Sequence, residues 1–215
     1  DATKLTGALP AISGASLTNL PSTSTADILS AATIQKTATN NLGIGVNTVN
    51  SITTGDYNVG FGTESGTAIT TGSQNAFYGT YSGFSTTTGS NNTAVGDTSL
   101  RNNTTASNNT AVGKESLRNN TTGDANVAVG TSALLLNTTG ARNTSIGTET
   151  MYLNTTGNDN VAIGRDALKS NTTASNNIAM GKNALYANST GASNLATGHY
   201  AMSANTTGSF NTAYG

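Results

Sequence analysis

The stretch NNTAVGDTSLRNNTTASNNTAVGKESLRNNTTG, residues 91–123, contains nearly the same sequence twice. The segment that begins at Asn92 returns at Asn109, an offset of 17 residues. One glycine recurs at this spacing along most of the chain, at Gly45, Gly62, Gly79, Gly96, Gly113, Gly130, Gly147, Gly164, Gly181, Gly198 and Gly215. Ten complete 17-residue repeats therefore fill residues 45–214. A fixed period of this kind indicates a repeat architecture.

We number each repeat from this glycine, which is position 0. Position 13 is always asparagine, from Asn58 to Asn211, and position 9 is always threonine, from Thr54 to Thr207. From the fourth repeat on, the consensus is G-x-x-small-Leu/Met-x-x-N-T-T-G-x-x-N-x-A-V/I. The period is too short for a pair of helices, and glycine with Asn-Thr-Thr in each repeat disfavours helix. The pattern predicts an all-β fold, a parallel β-solenoid or β-roll with one coil per repeat.

The segment Asn-x-Ala-Val, positions 13 to 16, reads as one strand. Its β-branched residues at positions 14 and 16 share one face, and asparagine and alanine share the other. A second short strand is predicted around position 4, which holds Leu100, Leu117, Leu134, Met151, Leu168, Leu185 and Met202. Glycine and Thr-Thr-Gly form the two corners. Because stacked coils rise by ~4.8 Å, the asparagines at position 13 can hydrogen-bond along the stack.

The apolar content of each coil predicts an oligomer. Each coil has only two or three large apolar residues, and the β-branched columns exceed what so thin a coil can bury. We infer that the chain forms an intertwined homotrimeric fibre, with three chains around a shared axis. Which face of the strand looks toward that axis is left open by the sequence.

The composition excludes several classes of function. Charged residues make up 9% of the chain and the net charge is -1, which gives no electrostatic basis for binding nucleic acid. There is no cysteine, so neither a disulfide framework nor a cysteine metal site is expected. No apolar run reaches the length of a membrane span, and no membrane insertion is expected.

The chain divides into three parts. Residues 1–27 contain both prolines and are predicted to be an extended fibre or linker segment. Residues 28–44 are predicted to be a transition or capping partial repeat, and residues 45–215 the solenoid. The first three repeats differ from the rest, with Gly66 and Gly83 in place of leucine, as terminal repeats that cap a stack often do. Because the chain ends on the first residue of a repeat, we expect it to be a segment of a longer protein.

The units NNTAVGKESL (108–117), DNVAIGRDAL (159–168) and NNIAMGKNAL (176–185) resemble the head repeat of trimeric autotransporter adhesins of the YadA type. That resemblance implies a trimer of left-handed parallel β-rolls. The family repeat is nearer 14 residues, so the Asn-Thr-Thr-Gly corner reads as an insertion. Similar arrays are familiar from bacteriophage tail-fibre and other virion fibre proteins. The resemblance covers residues 45–215, and LTGALPAISGASLTNLPS (5–22) resembles segments of phage fibre shafts.

The resemblance implies a structural virion fibre, a phage tail or head fibre shaft that projects or forms a host-adhesion surface at the virion surface. The alternative is the head domain of a bacterial trimeric adhesin at the bacterial cell surface. The expected partners are two further copies of the chain and a virion attachment protein. A host cell-surface glycan or protein is a candidate partner.

No catalytic, cofactor-binding or metal site is predicted, and we expect no enzymatic activity. His199 is the only histidine and shares position 1 with lysine and arginine, which indicates an exposed polar face. The carboxylates Glu64, Glu115, Glu149 and Asp166 share position 2 with tyrosine and asparagine and are expected to be solvated. Asp56, Asp124 and Asp159 are too scattered for a calcium-binding roll. The period also does not fit hexapeptide acyltransferases, which need aliphatic residues every six positions.

Three further features of the sequence bear on function. Tyr152 and Tyr186 share position 5 with arginine and lysine and could meet sugars, but exposed tyrosine on a β surface usually needs no ligand, so we nominate no site. Asn103-Thr104-Thr105 and its copies match the N-glycosylation pattern, and a turn is the favoured interpretation. The threonine columns raise ice binding as a third function class. Adjacent threonines should diverge at a corner, which disfavours that class.

Overall fold

The computed structural model describes residues 40–215. The segment predicted over 1–27, and residues 28–39 of the predicted transition, lie outside the described residues. Within 28–44, residues 40–44 supply the first strand and the residue pair before it.

The described residues form a parallel β-solenoid with one strand per coil, as the period predicts. The strands pair in chain order in a single sheet, and each residue pairs with the residue 17 positions later, as Thr93 does with Thr110. The eleven strands are β1 Leu42–Ile44, β2 Val59–Phe61, β3 Ala76–Tyr78, β4 Thr93–Val95, β5 Thr110–Val112, β6 Val127–Val129, β7 Thr144–Ile146, β8 Val161–Ile163, β9 Ile178–Met180, β10 Leu195–Thr197 and β11 Thr212–Tyr214.

The second strand predicted around position 4 is wrong. That segment is a run of turns, and the residues at positions 2 and 4 have left-handed backbone angles, as in Glu115 (φ 59°) and Leu117 (φ 49°). Coil-to-coil hydrogen bonding persists without β geometry, since the Leu117 N–H donates to the Ala133 carbonyl at 3.0 Å. A left-handed leucine costs about 1–2 kcal/mol, and burying its side chain offsets that with about 1.5–3 kcal/mol.

The turn segment packs against the inner side of the sheet. The leucine or methionine at position 4 and the alanine at position 15 are fully buried in the central coils, as Leu134 and Ala128 show. The alanine and asparagine face of each strand therefore looks into the chain's own coil, and the β-branched face looks outward. Each coil closes its own small core, so the position-4 column needs no second chain to bury it.

The asparagines at position 13 form the predicted ladder. The side-chain amide of Asn143 donates to Oδ1 of Asn126 at 3.1 Å and to the carbonyl of Gly157 at 2.8 Å. The backbone N–H of Asn143 also donates to Oδ1 of Asn126, at 2.9 Å. Both asparagines are fully buried, so the ladder supplies the hydrogen bonds that buried amides require.

A second asparagine ladder, at position 7, was not predicted. The amide of Asn137 donates to Oδ1 of Asn120 at 2.7 Å and to the carbonyl of Gly140 at 2.8 Å. The column consists of Asn103, Asn120, Asn137, Asn154, Asn171, Asn188 and Asn205. The sequence contains the pattern needed to predict this second ladder, because these asparagines recur with the same period as those at position 13. They belong to Asn-Thr-Thr-Gly, which was interpreted only as a turn.

Candidate interaction surfaces

Each coil has two layers, the strand and the turn segment that packs against it, and each layer has one outer surface. We call the outward first and third residues of β1 to β11, positions 14 and 16, the strand face. We call the residues at positions 2 and 5 the turn face. The inner residues at positions 4 and 15 pack against each other, and Gly66 and Gly83 at position 4 lie against Phe77 at position 15. The strand face and the turn face therefore lie on opposite sides of the coil.

The strand face is uncharged along its whole described length. Five of its residues are threonine and the others are apolar or aromatic. Val95 and Ile163 keep 38% and 39% of their surface exposed, and Phe61 stacks on Tyr78 with ring centroids 5.1 Å apart. With strands ~4.8 Å apart, the face is about 50 Å long and about 10 Å wide, or about 500 Å². An uncharged surface of this size, with exposed aliphatic and aromatic side chains along it, is typical of an interaction site.

The turn face carries ion pairs. The Lys169 ammonium lies 2.8 Å from Asp166 and 2.5 Å from Glu149, one coil earlier. The hydrogen bond that Lys169 donates to Asp166, followed by the one it donates to Glu149, raises the pKa of Lys169 above its ordinary value. The guanidinium of Arg118 lies 3.5 Å from Glu115. Each of these three carboxylates therefore forms an ion pair with a lysine or arginine of the same or the next coil.

Aromatic side chains also cluster on the turn face. The guanidinium of Arg101 lies 5.3 Å from the ring centroid of Tyr81 and 5.8 Å from that of Phe84. Both distances are within the range of cation–π attraction. Nε of Arg101 is buried without a hydrogen-bond partner. Position 5 thus combines aromatic rings and fixed cations on one side of the rod.

A cleft of about 420 Å³ opens on the turn face near the last described coils. It is lined by Asp166, Lys169, Asn183, Tyr186, Tyr200, Ser203 and Ala204. Of the two tyrosines considered from the sequence as sugar contacts, Tyr186 lines this cleft and Tyr152 does not. Both lie at position 5, so the column pattern could not separate them. The difference comes from the neighbouring coils, which place a second tyrosine, Tyr200, beside Tyr186.

The threonines at positions 8 and 9 have different environments. The hydroxyl of Thr104, at position 8, donates to the carbonyl of Thr121 in the next coil at 3.0 Å. Thr105, at position 9, is exposed. The preceding residue of the glycosylation pattern, Asn103, is fully buried with its amide bonded to the Ala106 carbonyl at 3.0 Å. The folded coil therefore leaves neither a double row of free hydroxyls nor an accessible amide at this corner.

The residues weighed for chemistry have structural partners or face solvent. His199 is exposed, with its ring centroid 4.3 Å from that of Tyr200. Asp124 accepts the Ser107 N–H at 2.6 Å. Asp159 accepts two hydrogen bonds from the Arg142 guanidinium, at 2.7 and 2.9 Å, which lower the pKa of Asp159 and raise that of Arg142.

Within residues 40–215, no three His, Cys, Asp or Glu side chains are close enough together to hold a metal ion. The same part of the chain has no helix with the length and apolar character needed to cross a membrane. Comparisons of the chain with protein-family models, with curated proteins and with solved structures found no match in any of the three. The coil and its two outer faces are therefore the basis on which the function can be inferred.

Proposed function

We propose that this chain is a non-enzymatic structural segment of a virion fibre, the shaft of a phage-type tail or head fibre at the virion surface. The observation that carries the proposal is the unbroken parallel sheet of eleven strands in one constant register. Hydrogen bonds join every coil to the next, so the chain forms a stiff rod about 50 Å long. Such a rod, held to the virion by an attachment protein, projects a receptor-binding tip or presents an adhesive surface.

In this proposal the rod is a homotrimer whose chains meet through their strand faces. The strand face repeats every ~4.8 Å over its length, and a partner can match it throughout only if its own surface has the same rise. A second copy of this chain has that rise by construction. The absence of charge on the face is typical of the core of a protein interface. The resemblance to trimeric adhesin heads implies three copies around one axis.

The first experiment is the native mass of the 215-residue chain by sedimentation equilibrium. The proposal predicts a particle with three times the chain mass of 21.5 kDa. Ile146→Lys places a charge on the strand face and should dissociate the particle. Thr148→Lys, two residues later at an exposed position, is the matched control and should leave the mass unchanged. A monomeric wild-type chain would contradict the trimer and with it the fibre.

The head domain of a bacterial trimeric adhesin, at the bacterial cell surface, is the second candidate. It is favoured by segments with the sequence Val-Ala-Ile-Gly, such as residues 161–164. Both candidates predict the same trimer, so the native mass does not separate them. The sequence of the complete gene does: a fibre continues into a capsid or tail attachment region, whereas an adhesin has a secretion signal and a C-terminal membrane anchor.

Ice binding is the third candidate, and the corner threonines give it little support. In the central coils one threonine of the pair donates its hydroxyl to the backbone of the next coil, as Thr138 does to Thr155 at 3.1 Å. The other, such as Thr139, is exposed. We expect no thermal hysteresis from the purified chain. Clear hysteresis would place ice binding above the fibre.

A further inference from the structure

We propose that the cleft between Tyr186 and Tyr200 on the turn face is a binding site for a neutral sugar ring of a cell-surface glycan. The inference specifies the adhesive surface named in the proposed function and rests on that function for its biological meaning. The site volume, about 420 Å³, lies within the range of small-molecule sites. Tyr186 is 40% exposed, which leaves aromatic surface for the apolar C–H face of a pyranose.

The polar groups of the cleft suit hydroxyl recognition. Asp166 supplies a carboxylate acceptor and Lys169 an ammonium donor, and their ion pair fixes both side chains in place. Oδ1 of Asn183 is buried and has no hydrogen-bond partner, although buried polar atoms are nearly always paired. Asn183 lines the cleft, and a rotation of its side chain that turns Oδ1 toward the cleft would let a sugar hydroxyl supply the missing partner.

The charges around the cleft favour a neutral ligand. Lys169 contacts both Glu149 and Asp166, and Arg165 lies 3.3 Å from Asp166. A sialic or uronic acid would find the Lys169 ammonium of the cleft already bound to two carboxylates. A neutral pyranose needs only the mixed donors and acceptors that the cleft has.

The site remains open in the proposed trimer. The turn face lies on the opposite side of the coil from the strand face, so chains that meet through their strand faces leave the cleft at the outside of the rod. Three copies around an axis would present three equivalent clefts. Weak single sites can then combine into strong attachment, because the second contact with a surface glycan is intramolecular.

The test is saturation-transfer NMR of the full chain with the methyl pyranosides of glucose, galactose, mannose and N-acetylglucosamine, with sialic acid as the acidic comparison. We expect at least one neutral glycoside to bind with a dissociation constant on the order of 1 mM. Tyr186→Ala and Asn183→Leu should each weaken it by about tenfold or more. Tyr152→Ala, at position 5 two coils earlier and outside the cleft, is the matched control and should not change it.

Three outcomes would overturn the inference: no binding of any neutral glycoside, tighter binding of sialic acid, or equal losses in Tyr152→Ala and Tyr186→Ala. Thermal stability of each variant, measured alongside, separates loss of the site from loss of the fold. The native mass separates this inference from the proposed function. A trimer that binds no sugar overturns the site alone, whereas a monomer that binds a neutral glycoside overturns the fibre and leaves the site.

Discussion

The N-terminal coils, residues 45–95, and the central coils, residues 96–214, fill the same coil in two different ways. In the central coils the core consists of a large residue at position 4, alanine or serine at position 15 and asparagine at position 7. In the N-terminal coils Phe77 occupies position 15, and position 4 is glycine in the two coils it contacts. Ile52 and Ile69 replace asparagine at position 7 and are buried.

The difference shows that a larger side chain at position 15 requires a smaller residue at position 4. A Cβ atom on Gly66 would lie 2.9 Å from the Phe77 ring, and one on Gly83 would overlap it. The phenylalanine thus takes the space that leucines fill elsewhere. Where the asparagine ladder stops, the hydroxyl of Thr86 accepts a hydrogen bond from the Asn103 amide at 3.4 Å, and the two coils before it have isoleucine at this position. The coil geometry is common to both regions, and the side chains within it are chosen as a set.

The largest loss of stability is expected when a central coil receives the isoleucine that occupies position 7 in the first two coils. Asn137→Ile removes the donor to Asn120 and Gly140 and the acceptor of Asn154. Only Asn120 Oδ1 is then left without a partner, because the Gly140 carbonyl keeps the bond from Asn126 and the Asn154 amide keeps its bond to Gly157. An unpaired buried group costs about 1–3 kcal/mol and each further lost hydrogen bond about 0.5–1.5 kcal/mol, so we expect a loss of about 4 kcal/mol in unfolding free energy. Urea denaturation at fixed protein concentration measures it.

The control for that substitution is Thr139→Ile, at an exposed position, which should change stability by less than ~0.5 kcal/mol. Isoleucine is native at position 7 in the N-terminal coils. If Asn137→Ile proved as stable as wild type, the ladder would be dispensable and the two regions interchangeable.

The second prediction gives an N-terminal coil the leucine that occupies position 4 in the central coils. Gly83→Leu places a side chain onto the Phe77 ring, and we expect a loss of about 3 kcal/mol from overpacking. Adding Phe77→Ala recreates the leucine and alanine pair of the central coils and should recover part of that loss. A double-mutant cycle measures the coupling, expected between about 0.5 and 3 kcal/mol in favour of the double variant. A coupling energy near zero would mean that the side-chain sizes at positions 4 and 15 are independent.

The third prediction concerns the corner that both regions share. Gly79 and Gly130 have φ of 134° and 135°, and a Cβ atom on either would lie 2.5 Å from the carbonyl oxygen of the next repeat glycine. Alanine at either position should cost about 2 kcal/mol. Gly140→Ala, at position 10, should cost less, about 1 kcal/mol. A Cβ atom there would also lie 2.5 Å from a carbonyl oxygen, that of Gly157, but its φ is not left-handed, and Ala106 and Ala174 already occupy that position. Thermal denaturation of the three variants checks this order, and equal losses would contradict it.

The smallest effect is expected from the ion pairs of the turn face. The pKa of Lys169 is raised in the folded chain, so its contribution is fully present below pH 10.5, its ordinary value, and is lost as pH rises beyond it. Lys169→Met should lower stability by less than ~1 kcal/mol at neutral pH, and this difference from wild type should shrink above pH 10.5. Lys114→Met is the control, since exposed Lys114 forms no ion pair within the described chain. A difference that grew with rising pH would contradict the sign.

The 17-residue period of the sequence, and the alternation of β-branched residues with asparagine and alanine along the strand, were sufficient to predict the coil, its strand and the asparagine ladder at position 13. The second strand was predicted wrongly because an apolar column shows only that Leu117 points inward. It does not show whether the backbone there is extended or, as in the structure, left-handed. The cleft proposed as a sugar site could not be predicted from its column, because Tyr152 and Tyr186 are equivalent in sequence and differ only in what the adjacent coils place beside them.

The sequence by itself determined the parallel stacking of one strand per coil, since a 17-residue repeat with an alternating strand allows each residue to pair only with its counterpart in the next coil. It also determined that one side of the strand is uncharged. Only the tertiary structure decided that alanine and asparagine face inward and that leucine is buried within a single chain. Those outcomes depend on how the left-handed turns fold the second half of each coil against the sheet. That packing places the β-branched residues outside, where they are available to another chain.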